Sequence, residues 1–202
     1  IRTTATAYFA PQLTDIETAV QNLITQAQTA QGLPAQGTPF EAILIPADSK
    51  TTTLLSDTLT RYGFPPSAVR RLGTGLLDDP KLTTSRTLSG AWFSAPSPNL
   101  RSGFERRFFE TYGYTAPRLS TLAYDATALA AVLARRGLKN TGRPAFDRAS
   151  IMNANGFSGV DGIFRFRPDG TAERSLAVLE MRRGRIRVLD APAASFEEYK
   201  GL

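Results

Sequence analysis

The stretch that decides the fold is Glu41-Ala42-Ile43-Leu44-Ile45-Pro46-Ala47-Asp48. Four consecutive apolar residues, from Ala42 to Ile45, precede a proline that ends the run. A strand in a parallel sheet is buried on both faces and reads as a continuous apolar run, whereas a half-buried strand alternates apolar and polar residues. The stretch therefore predicts a buried strand in a three-layer α/β protein, with helices on both faces of a mostly parallel sheet.

An amphipathic helix is predicted on each side of this strand. Thr14 and Glu17 have the spacing of a capping box in front of an apolar stripe of helical period. After the strand, a helix begins near Ser49 and ends at Gly63, where a left-handed cap belongs. Further strands are predicted at 3–9, 69–72 and 90–95, and a loop at 32–39. Alternating strands and helices predict right-handed crossovers.

The pattern changes after Pro96, where two consecutive helices are predicted, the second ending at Gly137. Phe104, Phe108, Phe109, Tyr112 and Tyr114 recur at helical spacing, and we interpret them as core residues. Asp125, inside the second helix, is either a solvated residue or the partner of a neighbouring loop. Strands follow at 162–167, 175–181 and 185–189, separated by turns at 168–170 and 183–184.

Composition excludes several kinds of active site. The 202 residues are 42% hydrophobic and 21% charged, which is typical of one large globular domain or parts of two. Without cysteine or histidine, the chain has no thiol nucleophile, no imidazole base and no Cys/His zinc site. We expect no catalytic residue, metal or cofactor. The net charge of +6 is too modest for nucleic-acid binding to be expected.

Two loops are the candidate binding sites. Ala47-Asp48-Ser49 and Thr74-Gly75-Leu76 each follow a predicted strand, and open α/β sheets bind ligands beyond the carboxyl ends of their strands. Threonines 51–53 lie at the following helix start, where free backbone N–H groups could meet a carboxylate. The glycines around Thr74 are interpreted as a strand-end turn instead of a nucleotide loop. Asp78 and Asp79 are interpreted as surface carboxylates.

Two other features bear on partners and location. Arg182, Arg183, Arg185 and Arg187 cluster on a predicted hairpin, where they either grip an acidic polymer or, as we prefer, form a solvated face. The chain opens at Ile1 without an initiator methionine or a leader pattern, so we expect a processed or truncated product. No apolar stretch reaches the roughly 20 residues that a membrane span needs.

The order of elements resembles the type I periplasmic-binding-protein superfamily, the leucine/isoleucine/valine-binding-like receptors. The stretches that carry this resemblance are 41–48, Leu72-Gly73-Thr74-Gly75, Tyr112-Gly113-Tyr114, Leu122-Ala123-Tyr124-Asp125-Ala126, and Gly156-Phe157-Ser158-Gly159-Val160-Asp161-Gly162 continuing to Pro168-Asp169-Gly170. The Tyr-Asp-Ala helix and the Gly-Val-Asp-Gly turn are the most specific. The run from Phe157 to Leu179 looks closest to the branch of penicillin-binding-protein activators.

This resemblance implies the C-terminal half of a two-lobed fold that closes on a ligand. Residues 1–96 would form the α/β core of the second lobe, 97–156 the helices returning to the first lobe, and 157–202 the recrossing strand and closing hairpin. The uncovered apolar stripe of the 122–133 helix implies pairing with the missing first lobe or another chain.

The implied function is that of a non-enzymatic, periplasmic solute-binding protein of an ABC-type importer, with lipid anchoring through an absent N-terminal segment as an option. The ligand would be a small amino-acid-like molecule or carboxylate, held from this half by Ala47, Asp48, Ser49, Thr74, Gly75 and Leu76, and the protein partner a membrane permease. The aromatic side chain and the carboxylate that amino-acid-binding members offer near Asp48 and Gly75 are not found at those positions. The alternative is an envelope lipoprotein that docks on a peptidoglycan synthase.

Overall fold

A computed structural model describes residues 2–31 and 38–199, which form two compact units. The first unit contains residues 1–95 and 178–189, and the second contains 96–177 and 190–202. The predicted loop at 32–39 lies almost wholly outside the described residues. The division of the chain at 96 and 156 stays a prediction.

The first unit is built on a five-stranded sheet in the order β1-β2-β3-β7-β8. Its strands are β1 (Ala42–Leu44), β2 (Arg70–Gly73), β3 (Trp92–Ala95), β7 (Ala177–Arg182) and β8 (Arg185–Asp190). β1 pairs with β2 and β2 with β3, both in parallel, so the parallel sheet predicted from the apolar run is confirmed. The predicted burial of β1 on both faces is wrong, because Ala42 and Leu44 are exposed and the helices of this unit lie on the other face. Arg183 and Gly184 join β7 to β8, and Gly184 takes the left-handed backbone that the predicted turn requires.

Two helices pack together against one face of this sheet. They are α1 (Ile16–Gln31) and α2 (Ser49–Arg61), which correspond to the two predicted amphipathic helices. Their apolar stripes meet in a buried cluster that includes Val20, Ile45, Leu59 and Val69. α1 starts at Ile16, one residue later than the capping-box spacing predicts, and Glu17 forms an ion pair with Arg61 (3.0 Å). Gly63 ends α2 with a positive φ, as predicted.

A fully buried arginine ties β2 to α2. Arg71 is 1% exposed, and within residues 2–31 and 38–199 its guanidinium forms no ion pair with a carboxylate. Its Nε donates to Ser56 Oγ (3.1 Å), Nη1 donates to the Val69 carbonyl (2.7 Å), and Nη2 donates to the Phe64 carbonyl (2.6 Å). Burial lowers the pKa of Arg71 to about 10, so the group stays charged at neutral pH. Carbonyl and hydroxyl oxygens therefore take the place of a counter-ion.

The second unit combines helices with a small antiparallel sheet in the order β4-β5-β6. Its elements are α3 (Pro98–Tyr112), α4 (Ser120–Thr141), α5 (Arg148–Ile151), β4 (Phe157–Gly159), β5 (Gly162–Phe166) and β6 (Ala172–Arg174). The predicted turn at 168–170 joins β5 to β6, and Gly170 supplies its positive φ. The strand predicted after this turn, at 175–181, belongs instead to the sheet of the first unit as β7.

Two buried carboxylates tether α4 to the turn between β4 and β5. Asp125 Oδ1 accepts a hydrogen bond from the Val160 N–H (2.7 Å), which resolves the alternatives left by the sequence: Asp125 is the partner of a neighbouring loop. Asp161 Oδ2 accepts from Thr121 Oγ1 (2.7 Å) and from Arg118 Nη1 (3.2 Å). Gly159 has no room for a side chain, because a Cβ there would collide with the Asp125 carboxylate. The Tyr-Asp-Ala and Gly-Val-Asp-Gly motifs are therefore two halves of one contact.

Two predictions about individual elements are wrong. The strand expected at 3–9 does not form, since residues 2–10 pair with no neighbouring strand, and a strand needs a ladder partner. Gly137 does not end the second helix: α4 continues to Thr141, and Gly142 caps it. Gly137 is required for another reason, because a Cβ there would collide with the backbone of Arg143 and Ala145.

The aromatic residues of α3 are mostly not core residues, contrary to the prediction. Phe104 alone among the five is buried, and its ring contacts Phe108 (5.8 Å) and Tyr124 (5.2 Å). Phe109 and Tyr112 are more than half exposed. Helical spacing identifies one face but not whether anything covers it. Across the described part of the chain, no helix combines the length and the apolarity that a membrane crossing requires.

Candidate functional site

The two predicted binding loops lie side by side in the first unit. Both follow neighbouring parallel strands, β1 and β2, whose carboxyl ends meet at one edge of the sheet. Ser49 links them, because its Oγ donates to Asp79 Oδ2 (3.1 Å) and lies 3.4 Å from the Leu76 carbonyl oxygen. The sequence predicted only that each loop follows a strand, and the strand pairing and these hydrogen bonds show that the two loops are adjacent.

The start of α2 is occupied by the protein's own carboxylate. Asp48 precedes the helix, and its Oδ1 accepts from the Thr51 N–H (2.8 Å), while its carbonyl accepts from the Thr52 N–H (2.9 Å). The Thr51 hydrogen bond holds the pKa of Asp48 below its ordinary value, so the side chain is ionised at neutral pH. The expectation of free N–H groups at threonines 51–53 is therefore wrong for Thr51 and Thr52, and a second anion there would be repelled.

Ala47 contributes backbone to the same loop. It is partly buried against the apolar cluster, and its carbonyl accepts from Thr52 Oγ1 (3.1 Å). Ala47 thus holds the loop against α2 and offers no polar side chain to a ligand.

The second loop forms a short 3₁₀ helix, Gly75–Leu77, which Thr74 caps through its Oγ1. Leu76 is 55% exposed, so the loop presents an apolar side chain. A Cβ on Gly75 would lie 3.5 Å from the Ser94 carbonyl oxygen, which is ordinary contact, so this glycine is not required by space. On Gly73 a Cβ would overlap the buried Leu77 side chain, as expected for a tight strand-end turn.

Sequence reasoning missed Asp79, which it assigned to the surface. The carboxylate is half-buried, accepts from Ser49, and caps the 3₁₀ helix Pro80–Thr84 through the Lys81 N–H (3.0 Å). The proline after Asp79 was the available signal, since Asp-Pro marks the start of a helical turn. Asp48 and Asp79 make this edge of the sheet acidic.

A shallow groove of about 340 Å³ lies elsewhere in the first unit, between α1 and the end of α2. Its lining residues include Gln21, Thr25 and Tyr62, and none of the predicted loop residues lines it. Its walls offer amide, hydroxyl and phenol groups without a charge. The groove is therefore not the site that the sequence predicted.

Comparison with solved structures identifies the fold. A protein from Rhodospirillum rubrum assigned as a branched-chain amino acid ABC transporter is 20% identical, with a TM-score of 0.66 over 84% of this chain and 48% of that one. The chain has the fold of half a type I periplasmic binding protein. A solute-binding protein of an ABC transporter from R. palustris, solved with benzoate, is 11% identical, with a TM-score of 0.58 over 93% of this chain and 49% of that one.

A third similar structure is the C-domain of LpoA from Haemophilus influenzae, a regulator of PBP1A. It is 15% identical over 83% of this chain and 48% of that one, and its TM-score of 0.49 does not favour the activator branch over the transport proteins. These likenesses, all below 25% identity, show a fold and not an activity. Neither a protein-family model nor a curated protein matches the sequence. This chain spans about half the length of the structures that it resembles.

Proposed function

We propose that residues 1–202 are one half of an extracytoplasmic solute-binding protein of an ABC-type importer. The observation that carries the proposal is the Ser49 hydrogen bond, which joins the two loops at the carboxyl ends of adjacent parallel strands. Ligands of open α/β sheets bind at this edge. Binding without turnover also fits a chain that has no cysteine or histidine. The partners would be a small ligand and a membrane permease, and the location periplasmic.

The loops favour an amino-acid-like ligand over a simple carboxylate for the contacts made by this half. Asp48 is exposed and ionised, and Asp79 lies beside it through Ser49, so the loops attract an ammonium group. Leu76 offers an apolar surface to the ligand's side chain. A ligand carboxylate would have to be bound by the other lobe, since Asp48 occupies the start of α2. Thr74 and Gly75 would supply the remaining hydroxyl and backbone contacts.

Thermal unfolding of the complete two-lobed protein, with and without millimolar solutes, tests this proposal. The panel holds leucine, the same molecule without its ammonium group, the same molecule without its carboxylate, and benzoate. A ligand at 100 times its dissociation constant should stabilise the protein by about 2.7 kcal/mol, or a few degrees. We expect the zwitterion and the amine to stabilise it more than either carboxylate. A flat response would overturn the proposal.

A matched pair of capping variants separates binding from stability. Asp48→Asn and Asp147→Asn each alter an aspartate that caps a helix through a backbone N–H, at the start of α2 and of α5 respectively. Only Asp48 lies in the candidate site. We expect Asp48→Asn to lose the ligand-induced shift and Asp147→Asn to keep it. Equal shifts in both variants would exclude Asp48 as a ligand contact.

An envelope regulator that docks on a peptidoglycan synthase is the second candidate. The observation that favours it is that the side chains of Asp48, Ser49 and Thr74 are already engaged in contacts within the loops. A solute site needs convergent polar groups, whereas a docking protein does not. Binding to an immobilised peptidoglycan synthase, unaffected by any solute in the panel, would support this candidate over transport.

A further inference from the structure

The sheet of the first unit has a covered face, which packs against α1 and α2, and an open face. Successive side chains of a strand point to opposite faces, so Arg70 lies on the open face because Arg71 points toward α2. The Arg70 guanidinium lies 4.7 Å from the centre of the Trp92 ring, and Trp92 Nε1 lies 3.4 Å from Glu180 Oε1. Glu180 of β7 therefore shares the open face.

Three arginines of the hairpin formed by β7 and β8 follow Glu180 on this face. Arg182 lies two residues further along β7, and the two-residue connection sets it opposite Arg185. Alternation along β8 then brings Arg187 to the same face. One edge of the sheet is therefore lined by cations.

A fourth arginine, Arg183, lies in the turn of the hairpin. The N–H of the next residue, Gly184, donates to the Thr83 carbonyl (3.0 Å), so the turn is held against the 3₁₀ helix Pro80–Thr84. Lys81, in the same short helix, is exposed. The backbone that carries these cations is thus fixed to the rest of the first unit.

The arginine side chains are mostly without partners in the protein. Arg182 pairs with Glu180 at 2.7 Å. Arg183, Arg185 and Arg187 are exposed, and their guanidinium groups form neither an ion pair nor a hydrogen bond with residues 2–31 or 38–199. Side chains that nothing holds toward one point are suited to many phosphates at variable positions and not to a single bound anion.

Apolar side chains accompany the arginines. Leu189 follows Arg187 on the open face and is 38% exposed, and Val178 at the other end of β7 is 36% exposed. A soluble polyanion offers only charge to such a surface, whereas an anionic bilayer offers phosphates above an apolar interior. Arginine can lay its aliphatic stem along apolar groups while its guanidinium reaches a phosphate.

From this arrangement we propose that the hairpin of β7 and β8 binds the surface of an anionic phospholipid bilayer. The arginines contact lipid phosphates, and Leu189 enters the headgroup region. An antiparallel hairpin at the edge of a sheet can leave one face to its surroundings, unlike parallel strands. The unpaired cations favour the phosphate-binding alternative over the solvated face that we preferred from the sequence. The proposal does not depend on any solute held by the protein.

Flotation of the 202-residue protein with vesicles tests the proposal. We expect binding to vesicles that mix phosphatidylglycerol with phosphatidylcholine, and no binding to vesicles of phosphatidylcholine alone. Raising the salt from about 0.1 M to about 1 M shortens the screening length from about 10 Å to about 3 Å, so most of the bound protein should dissociate.

Paired substitutions of equal charge separate the hairpin from the net charge of the protein. Arg183→Gln with Arg185→Gln removes two exposed cations of the hairpin, and Arg135→Gln with Arg136→Gln removes two exposed cations of α4. Near an anionic surface each arginine contributes about fivefold to partitioning, so the hairpin pair should weaken binding about 25-fold. The α4 pair should have a much smaller effect. Thermal unfolding of both double variants should match that of the wild type.

A dye locates the contact without altering the arginines. The chain has no cysteine, so a single introduced cysteine can carry a polarity-sensitive dye. Leu189→Cys puts the dye beside Arg187, whereas Gln26→Cys puts it on the exposed side of α1, which packs on the covered face. Vesicles with phosphatidylglycerol should shift the emission of the dye at position 189 to shorter wavelength and leave that at position 26 unchanged.

Four results would overturn the proposal. They are equal binding to both kinds of vesicle, equal losses in the two double variants, and a dye shift at position 26 instead of 189. The fourth is binding of soluble polyphosphate, lost in the hairpin variant, without binding of vesicles, which would make a soluble polyanion the partner. Because no solute is present, failure here would leave the thermal panel for ligand binding unaffected.

Discussion

The first unit buries a cation, Arg71, among neutral oxygens, whereas the second buries two carboxylates, Asp125 and Asp161, near arginines. Arg71 is satisfied by three neutral oxygens, since Ser56 Oγ in α2 and the carbonyls of Phe64 and Val69 all accept from it. Asp125 Oδ2 and Asp161 Oδ1 accept no hydrogen bond from the described residues. Arg174 Nη1 lies 3.9 Å from Asp125 Oδ2, which is too long for a hydrogen bond.

The buried cation and the two buried carboxylates therefore stabilise the fold through different kinds of contact. A guanidinium has five donors and can bridge several carbonyls at once, so it fixes α2 against β2 without a counter-ion. A carboxylate accepts at a few directed positions, so Asp125 fixes a single loop N–H and depends on the glycine beside it. Arg71 thus connects groups from several segments, whereas Asp125 accepts from one loop N–H and Asp161 from Thr121 and Arg118.

The largest effect is expected from Arg71→Met. The substitution keeps much of the volume and removes all the donors, leaving the buried carbonyls of Val69 and Phe64 without their partner. We expect a loss of about 3 kcal/mol or more in the free energy of unfolding, measured with urea. Arg70→Met, one residue away on the open face, is the control and should cost much less. Equal losses would mean that the Arg71 contacts add nothing to packing.

The pH dependence of Arg71 has a definite sign. Its folded pKa of about 10 lies well below its ordinary value. Between these two values the unfolded chain binds more protons, so the Arg71 contribution to stability rises with pH. From pH 10 upward, the free energy of unfolding should therefore fall less steeply with pH for the wild type than for Arg71→Met. A steeper fall in the wild type would contradict the lowered pKa.

Gly159→Ala comes next. The added Cβ would collide with the Asp125 carboxylate and displace the Val160 N–H from it, so we expect a loss of about 2 kcal/mol, localised by hydrogen exchange to the second unit. Gly103→Ala is a control of opposite sign. Gly103 lies inside α3, where a Cβ meets Arg107 Nη1 at 3.7 Å, and alanine should stabilise the helix. Loss of stability in both variants would point to a general intolerance of side chains.

A smaller loss is expected from Asp125→Asn. The amide oxygen can still accept from the Val160 N–H, so only the charge facing Arg174 is removed, at a cost of about 1 kcal/mol. Asp125→Ala should cost more, since it leaves a buried N–H unpaired. If Asn and Ala were equally destabilising, the charge and not the hydrogen bond would hold the loop.

The smallest effect concerns the two helix caps. The Thr51 N–H lowers the pKa of Asp48, and the Ser150 N–H lowers that of Asp147, both from an ordinary value of 3.8. Their stabilising contribution is complete above that value and is lost as the pH falls through the lowered folded pKa. Replacing either aspartate by asparagine should therefore lower the free energy of unfolding slightly above about pH 4, and the values for variant and wild type should converge as the pH falls further. If either cap variant lost more stability at neutral pH than Asp125→Asn does, the result would be inconsistent with exposed helix caps.

Local patterns predicted the elements whose partners lie nearby in the chain. The turn at Gly184 and the cap at Gly63 depend on a few adjacent residues, and both were identified correctly. The apolar run before Pro46 marked a parallel strand correctly, but its burial on both faces was predicted wrongly. The adjacency of the two candidate loops was not predicted and comes from the pairing of β1 with β2. Their role in binding stays a proposal.

Predictions that depended on distant contacts failed. Residues 3–9 have strand composition, but pairing depends on a neighbouring backbone that composition does not reveal. Gly137 was predicted to end a helix because glycine is common there. The contact that requires a glycine is with the backbone of Arg143 and Ala145, which follow the helix and could not be foreseen. Asp79 was missed because its partner, Ser49, lies in a different loop. No local pattern encodes such contacts.

The contact between Asp125 and Gly159 also constrains how this sequence can diverge. A carboxylate at one position forbids any side chain at the other, so the two positions cannot drift independently. A lineage that loses the aspartate releases the glycine, whereas one that gains a side chain at 159 must first shorten residue 125. Remote relatives that retain the aspartate should therefore also retain the glycine.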